Sequence, residues 1–382
     1  MSVEKSCDLL IIGAGPAGIS TAMHLLQLNP GWSERLLVLE KAVHPRPKLC
    51  GGGLTRLGLQ ILRDLGFALP LPIPHERIED VRLIYSRRMI HVRGKPQIVV
   101  FHRPELDAYL ADQARRRGVK ILENQGVEKL VLEDQGVFVT THEGLYHSRV
   151  VVGADGSKGV TQRYVNKGRT DKRVARLLEV HNSASQAAPL FTEHAAYFDF
   201  TPLANRLQGY FWEFPFRLEG EPAFKYGVYD ARLASWRPKA NLPEILSRSM
   251  AERGESLEKL KLEGHPINLF NPGNCFAIPH LLLVGDAAGA DPLFGEGIAP
   301  ALGYGKVAAK IVQQAFEHAD FSLRNYRQVL LSSQLGGYLL RRWKVAWWGY
   351  RLGWSSVYMH LLWTLGDILA RLWPKPEALY PG

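Results

Sequence analysis

Residues 7–12 read CDLLII and run straight into Gly13-Ala14-Gly15-Pro16-Ala17-Gly18. An unbroken apolar run of strand length, closed by glycines, is the pattern of a strand buried on both faces. Residues 19–28 continue with helical spacing, and residues 35–40 (RLLVLE) read as a second buried strand, completing a βαβ unit. Within Gly13-x-Gly15-x-x-Gly18 each glycine has its own task. The first allows a tight turn, the second lets a pyrophosphate approach the backbone, and the third lets helix and strand pack closely. The helix N-terminus adds free N–H groups and a positive dipole end. Glu40 lies 22 residues beyond Gly18, at the end of the second strand, where a carboxylate can hold ribose hydroxyls.

Working outward, residues 45–53 (PRPKLCGGG) form a loop by composition and residues 54–65 an amphipathic helix. Short strands follow between 81 and 101 (VRLIYS, MIHVRG, QIVVFH), then a helix over 104–117 whose Arg115–Arg117 end complements the dipole. Residues 119–152 read as a strand meander, and 174–230, rich in β-type and aromatic residues, as a second sheet. Residues 281–284 (LLLV) are another buried strand, ending in Gly285-Asp286-Ala287-Ala288-Gly289, and 297–316 a long helix. The expected fold is α/β: a Rossmann-like dinucleotide domain from residues 1–80, 100–172 and 270–320, with an inserted, mainly antiparallel β-sheet substrate domain from 81–99 and 173–269. An aromatic-rich helical segment, 321–382, closes the chain.

Composition narrows the function classes. With 46% hydrophobic and 22% charged residues, the 382-residue chain is not disordered, a coiled coil or a polytopic membrane protein. A net charge of +10 permits an anionic partner, but the charge is not concentrated in one tail. No zinc-type Cys/His spacing, basic zipper or repeat accompanies it, so neither a metal site nor nucleic-acid binding is expected. Three cysteines (Cys7, Cys50, Cys275) cannot make a disulfide framework, and nothing near the start reads as a signal peptide. The expected location is cytoplasmic.

Two further motifs carry a resemblance. Gly285-Asp286 after a buried strand, with Pro292-x-x-Gly295-Glu296-Gly297 opening a helix, resembles the second nucleotide-binding motif of flavoprotein monooxygenases and related reductases. Arg103-x-x-Leu106-Asp107-x-x-Leu110 and Gly153-Ala154-Asp155-Gly156-Ser157 resemble segments of the same para-hydroxybenzoate hydroxylase-like superfamily. The resemblance implies FAD. It puts Asp286 on the ribityl chain, Arg103 near that chain, Asp155 near the pyrophosphate, and Gly13 to Gly18, Glu40, Lys41, Cys50, Gly51, Val127, Gly285, Gly295, Gly297 and Ile298 around the cofactor. Arg103 has a second reading as a carboxylate partner, and Asp155-Gly156 as an ordinary turn.

Lys48-Leu49-Cys50-Gly51-Gly52-Gly53 and Tyr210-x-Trp212-x-Phe214-Pro215 resemble the geranylgeranyl reductase family. The resemblance implies saturation of isoprenoid C=C bonds in a cavity built on Tyr210, Trp212, Phe214 and Pro215; Phe211 and Phe216 are further candidates on the same strand. The family follows this segment with Gly-x-Gly; here Gly227-Val228-Tyr229 stands instead, and Tyr229 fills space. Cys50 admits three readings: donating a proton, gating the flavin, or packing as a small thiol. Only one complete GxGxxG is present, so NADPH or ferredoxin would serve as a transient donor. Alternatives are a flavin monooxygenase or halogenase, whose Trp-x-Trp-x-Ile-Pro segment is similar, and a non-catalytic FAD protein of a membrane complex.

Six of nine tryptophans (Trp343, Trp347, Trp348, Trp354, Trp363, Trp373) lie in the last 52 residues, where six Arg and Lys face two acids, Asp367 and Glu377. Trp354, Tyr358, Leu361, Leu365 and Leu372 keep helical spacing, and the longest uncharged run, 352–366, is too short to span a bilayer. This segment either meets a lipid interface peripherally or caps an apolar cavity.

Overall fold

The computed structural model describes residues 5–167, 174–372 and 378–379. Two eight-stranded sheets share the cavity between them. In the first, Ile121–Leu122, Leu36–Leu39, Lys5–Ile12, Gly144–Gly153 and Leu281–Leu283 lie side by side and parallel. Ala277–Ile278 closes one edge, and the antiparallel strands Val127–Glu133 and Gly136–Thr141 extend from Gly144–Gly153. The apolar runs Leu9–Ile12, Val150–Val152 and Leu281–Val284 are buried throughout, as helices on both faces require.

The glycine turn dictates the helix that follows. Gly15 is the N-cap and Pro16 the first helical residue, where its missing N–H leaves no partner unsatisfied. That helix, Pro16–Leu28, packs on Ile298–Glu317 at close range: Ser20 Oγ donates to the Leu302 carbonyl at 2.7 Å. A Cβ on Gly305 would sit 2.5 Å from the same oxygen, so only glycine permits this approach.

His24, buried on the inner side of the first helix, shows how that packing carries a pH dependence. Its Nδ1 donates to the Ser20 carbonyl at 2.8 Å, its Nε2 has no partner, and burial holds its pKa down at about 4 from 6.5. The folded chain keeps the imidazole neutral while the unfolded chain takes up a proton below pH 6.5. The contribution is therefore complete above 6.5 and is lost as pH falls toward 4. Urea titrations should show about 3 kcal/mol disappearing across that window. His24→Leu should flatten that part of the profile; an unchanged slope would assign the acid sensitivity elsewhere.

The second sheet runs Glu263–Asn268, Val174–Ser183, Glu221–Asp230, Gly209–Leu218, Ala195–Asp199, His75–Tyr85, Arg88–Phe101, Gly53–Thr55. It is antiparallel except where Ala195–Asp199 meets His75–Tyr85. The inserted antiparallel sheet is therefore present, with different edges from those expected. One hairpin of 11- and 14-residue strands replaces the short strands of 81–101 and begins at His75. Gly53–Thr55 pairs with Val100–Ile98, so the helix expected over 54–65 starts only at Arg56. Ile121–Leu122 pairs with Leu36–Leu39 and does not join the meander.

The chain ends in helices Gln334–Leu352 and Ser356–Leu372. Tyr350, Met359 and Trp363 turn inward and join the cluster of Tyr210, Trp212 and Phe214, Trp363 packing on Phe200 at 5.3 Å between rings. Trp354, Leu361, Leu365 and Leu372 are exposed, whereas Tyr358 is half-buried against the cluster. Trp373 and Glu377 lie outside the described residues. Among the described residues, no helix is long and apolar enough to cross a membrane.

Candidate active site

One continuous cavity of about 860 Å³ runs from the glycine turn to the aromatic strand Gly209–Leu218. At its first end, three strand ends converge. Gly13 N–H donates to Leu39 O at 2.7 Å and Ala154 N–H to Ile12 O at 2.8 Å. Gly13 has φ +110°, and a Cβ there would overlap the Ala154 carbonyl, 2.8 Å from its carbon. Gly13, Gly15, Pro16 and Ala17 line the cavity. Ala14 and Gly18 lie behind the wall. The Ala14 N–H donates to Glu40 Oε2 at 2.8 Å, and a Cβ on Gly18 would overlap the Gly13 carbonyl.

Glu40 lines the cavity and is buried; its other oxygen accepts from Ala42 N–H at 3.1 Å. Beside it stands Arg46, which sequence reasoning missed. Its guanidinium lies 3.5 Å from Glu40, 3.3 Å from Asp107 and over Gly15, with a buried Nε that has no hydrogen-bond partner. A Cβ on Gly15 would come 3.3 Å from Arg46 Nη2, so bare backbone and guanidinium form a cradle that suits the diphosphate of FAD. Lys41 and Val127 line the same end.

Arg103 is buried and grips Asp107 in a bidentate pair, at 2.9 and 3.0 Å, so it pairs with a carboxylate while also lining the cavity. Asp155 also lines the wall, yet its carboxylate accepts from Thr161 N–H at 3.0 Å and Thr161 Oγ1 at 2.5 Å. Those bonds commit it to the turn before Thr161–Val165, and burial pushes its pKa up. Asp286 faces the cavity with Lys48 Nζ 3.6 Å away. Gly285 does not line it; at φ +59° it lets Ala17 approach, where a Cβ would come within 2.7 Å.

Cys50, Gly51, Gly295, Gly297 and Ile298 surround the middle of the cavity. Cys50 Sγ accepts from Gly52 N–H at 3.4 Å. Beneath this loop lies Lys225, fully buried, donating to the carbonyls of Cys50 at 3.2 Å and Phe101 at 3.0 Å. Burial pulls the Lys225 pKa down and the nearby Glu179 carboxylate opposes it.

Period-two alternation sorts the aromatic strand. Tyr210, Trp212 and Phe214 face the cavity, whereas Phe211 turns to the opposite cluster and Pro215 is not part of the lining. Phe216 shares the inner face but lies beyond the cavity, beside His102 and His181. Phe198, Tyr229 and Phe294 complete the chamber, and Gly227 makes room for the Trp212 ring. Trp212 Nε1 is buried without a partner and faces Gly51.

Three tyrosines clamp the loop that leads into the long helix. Tyr229 donates to Pro292 O at 3.0 Å, Tyr350 to Leu293 O at 2.5 Å and Tyr210 to Phe294 O at 2.5 Å. An ionic cluster fixes the rest of it. Glu296 accepts from Thr55 Oγ1 at 2.6 Å and from the Tyr338 hydroxyl, while Arg342 bridges to Asp291 at 2.7 Å and lies 3.7 Å from Glu296. Burial raises the Glu296 pKa and Arg342 opposes it. Of this cluster, only Glu296 sits in a motif; Tyr338 and Arg342 come from the C-terminal helix with no local signal.

Comparison with known proteins agrees with this geometry. The family model described as an FAD binding domain matches residues 6–257. An uncharacterised protein of Methanosarcina barkeri is 27% identical over 88% of this chain and 83% of its own length. A digeranylgeranylglycerophospholipid reductase of Methanosarcina acetivorans is 22% identical over 84% of this chain and 79% of its own. A menaquinone reductase of Mycolicibacterium smegmatis is 26% identical over 81% and 77% respectively. Among solved structures, a geranylgeranyl bacteriochlorophyll reductase-like protein from Thermoplasma acidophilum superposes with a TM-score of 0.76 at 21% identity, covering 96% of this chain and 91% of that one. Halogenase PltM gives 0.70 at 18% identity, covering 96% and 82%. With its glycine turn, its Glu40 and Arg46 pair and a model that matches residues 6–257, well over half of its length, the chain belongs to the FAD-binding-domain family of FAD-dependent oxidoreductases.

Proposed function

We propose that this chain saturates C=C bonds of an isoprenoid chain. The observation that carries this reading is the second half of the cavity, where Phe198, Tyr210, Trp212, Phe214 and Phe294 meet the aliphatic side chains of Val81, Leu83, Val92, Ile98 and Ile267. A wall of rings and aliphatic side chains suits an apolar chain rather than a polar metabolite. The reductases named above support it by similarity. Bound FAD would supply hydride chemistry, one alkene carbon taking a hydride and the other a proton.

The chain's own residues do the rest. Gly13, Gly15, Pro16, Ala17, Glu40 and Arg46 would hold the nucleotide half, and Asp286 the ribityl chain. Lys225 fixes the Cys50–Gly52 backbone from below, and the Tyr210, Tyr229 and Tyr350 clamp fixes the opposite loop, so the two walls meeting the reacting centre are held by buried hydrogen bonds. The Trp212 ring lines the chamber, with its indole nitrogen buried against Gly51. Tyr229 fills the space beside Gly295 and narrows the chamber there. NADPH or ferredoxin would dock transiently, since one dinucleotide turn serves FAD.

The test is anaerobic. Protein reduced with dithionite is mixed with a geranylgeranyl lipid while flavin absorbance is followed, and the product is weighed by mass spectrometry. Return of the oxidised spectrum with one H2 gained per bond is expected. Absorbance that ignores the lipid, with an oxygenated or halogenated product formed only on admitting oxygen, would overturn the reading in favour of monooxygenase or halogenase chemistry.

A further inference from the structure

The last two helices present an apolar face to solvent where an ordinary surface helix presents a polar one. On Ser356–Leu372, Met359 and Trp363 pack inward, while Val357, Leu361, Leu365, Ile368 and Leu372 follow one another at helical spacing on the outside. Val357 is 70% exposed, Leu361 66% and Leu372 75%, so these side chains gain nothing from the fold. Trp354 at the turn continues the stripe, and Val345, Trp348 and Leu352 extend it along Gln334–Leu352. A stripe this long is unusual on a protein that keeps to water.

Charge says what covers it. Residues 334–372 hold five Arg and Lys against one acid, Asp367, which is neutralised by Arg371 at 2.7 Å. Arg342 turns inward to Asp291, but Arg341 and Lys344 are exposed and share the outer face with Val345 and Trp348 by spacing. The exposed hairpin tip, with Arg87 and Met89, adjoins the last helix through Arg88, which donates to Thr364 at 2.7 Å. A second copy of this face would set like charges opposite one another. An anionic bilayer surface would satisfy both the apolar stripe and the basic rim.

We propose that the outer face of the two C-terminal helices docks on an anionic lipid surface, lying in the interface without crossing it. Trp348 and Trp354 suit the headgroup level, with the leucines below. The inner face of these helices backs the aromatic cluster through Tyr350 and Trp363, and reaches the cavity through Tyr338 and Arg342, which hold the loop at its centre. Docking would therefore set the chamber's outer wall against the bilayer. The proposal does not depend on which reaction the chamber hosts.

The test is flotation of the flavin-loaded protein with vesicles of phosphatidylcholine alone or mixed with phosphatidylglycerol, in low and high salt. Binding to the mixed vesicles, weakened by salt, is expected. The double variant Leu361→Glu/Leu365→Glu should lose at least about tenfold in partitioning. Both residues are exposed, so its flavin spectrum and gel-filtration volume should match the parent. Failure to float with either vesicle would overturn the proposal. So would a salt-stable dimer, seen by light scattering, that the double variant dissolves while vesicle binding stays absent.

Discussion

Arg342→Met is expected to destabilise the protein by about 3–5 kcal/mol, the usual consequence of removing one partner from a buried ion pair. Asp291 is 0% exposed and holds the loop by accepting from Leu293 N–H at 2.8 Å and Phe294 N–H at 3.1 Å. Its countercharge is Arg342 at 2.7 Å, and the same guanidinium stands 3.7 Å from the buried Glu296. Methionine would leave two carboxylates near each other in an apolar wall. It would also remove a guanidinium stacked 4.3 Å from the Tyr338 ring. Arg342→Lys keeps the charge and loses the planar fork, so its loss should be roughly half as large. Urea unfolding of the three proteins decides the matter. A change below about 1 kcal/mol for the methionine variant would mean that water screens the cluster.

Gly13→Ala should yield a colourless protein, with FAD affinity reduced at least about 100-fold, equivalent to ~3 kcal/mol. At φ +110° any side chain is strained, and here the added methyl group also overlaps the Ala154 carbonyl. Relief requires parting the ends of Lys5–Ile12 and Gly144–Gly153, which together shape the phosphate end of the cavity. Gly156→Ala separates the two effects. Its φ is +76°, but nothing lies within 4 Å of the added carbon, so a few-fold loss is expected there. Fluorescence titration of apoprotein with FAD measures both. Equal losses in the two variants would show that backbone handedness alone, and not the close approach, controls binding.

The cofactor end was legible because its determinants are local. A buried strand, three glycines at fixed spacing and a carboxylate at the next strand end lie within 34 residues, from Cys7 to Glu40. Residues 81–101 were less so. His91 and Arg93 interrupt the apolar pattern on a face open to water, and Arg82 does so on the same face by pairing with Asp80 and Glu193, so the long strands resembled short fragments. Arg46, Lys225 and Arg342 carried no signal at all. Lys225 reaches Cys50 across 175 positions, brought there by pairing with Phe214 in the sheet, and no spacing rule anticipates such a contact.

The sequence by itself determined the dinucleotide turn, the inserted sheet and which residues of the aromatic strand and the last helices share a face. Periods of two and 3.6 follow from backbone geometry alone. Only the tertiary structure decided which face is covered. Alternation groups Tyr210, Trp212 and Phe214 and separates Phe211 and Pro215, yet it does not say which set meets the cavity. Helical spacing likewise groups Trp354, Leu361, Leu365 and Leu372. They are outside because Met359 and Trp363 claimed the packing surface offered by Tyr85 and Phe200. Burial is a property of pairs of elements, and those pairs form only when the chain has folded.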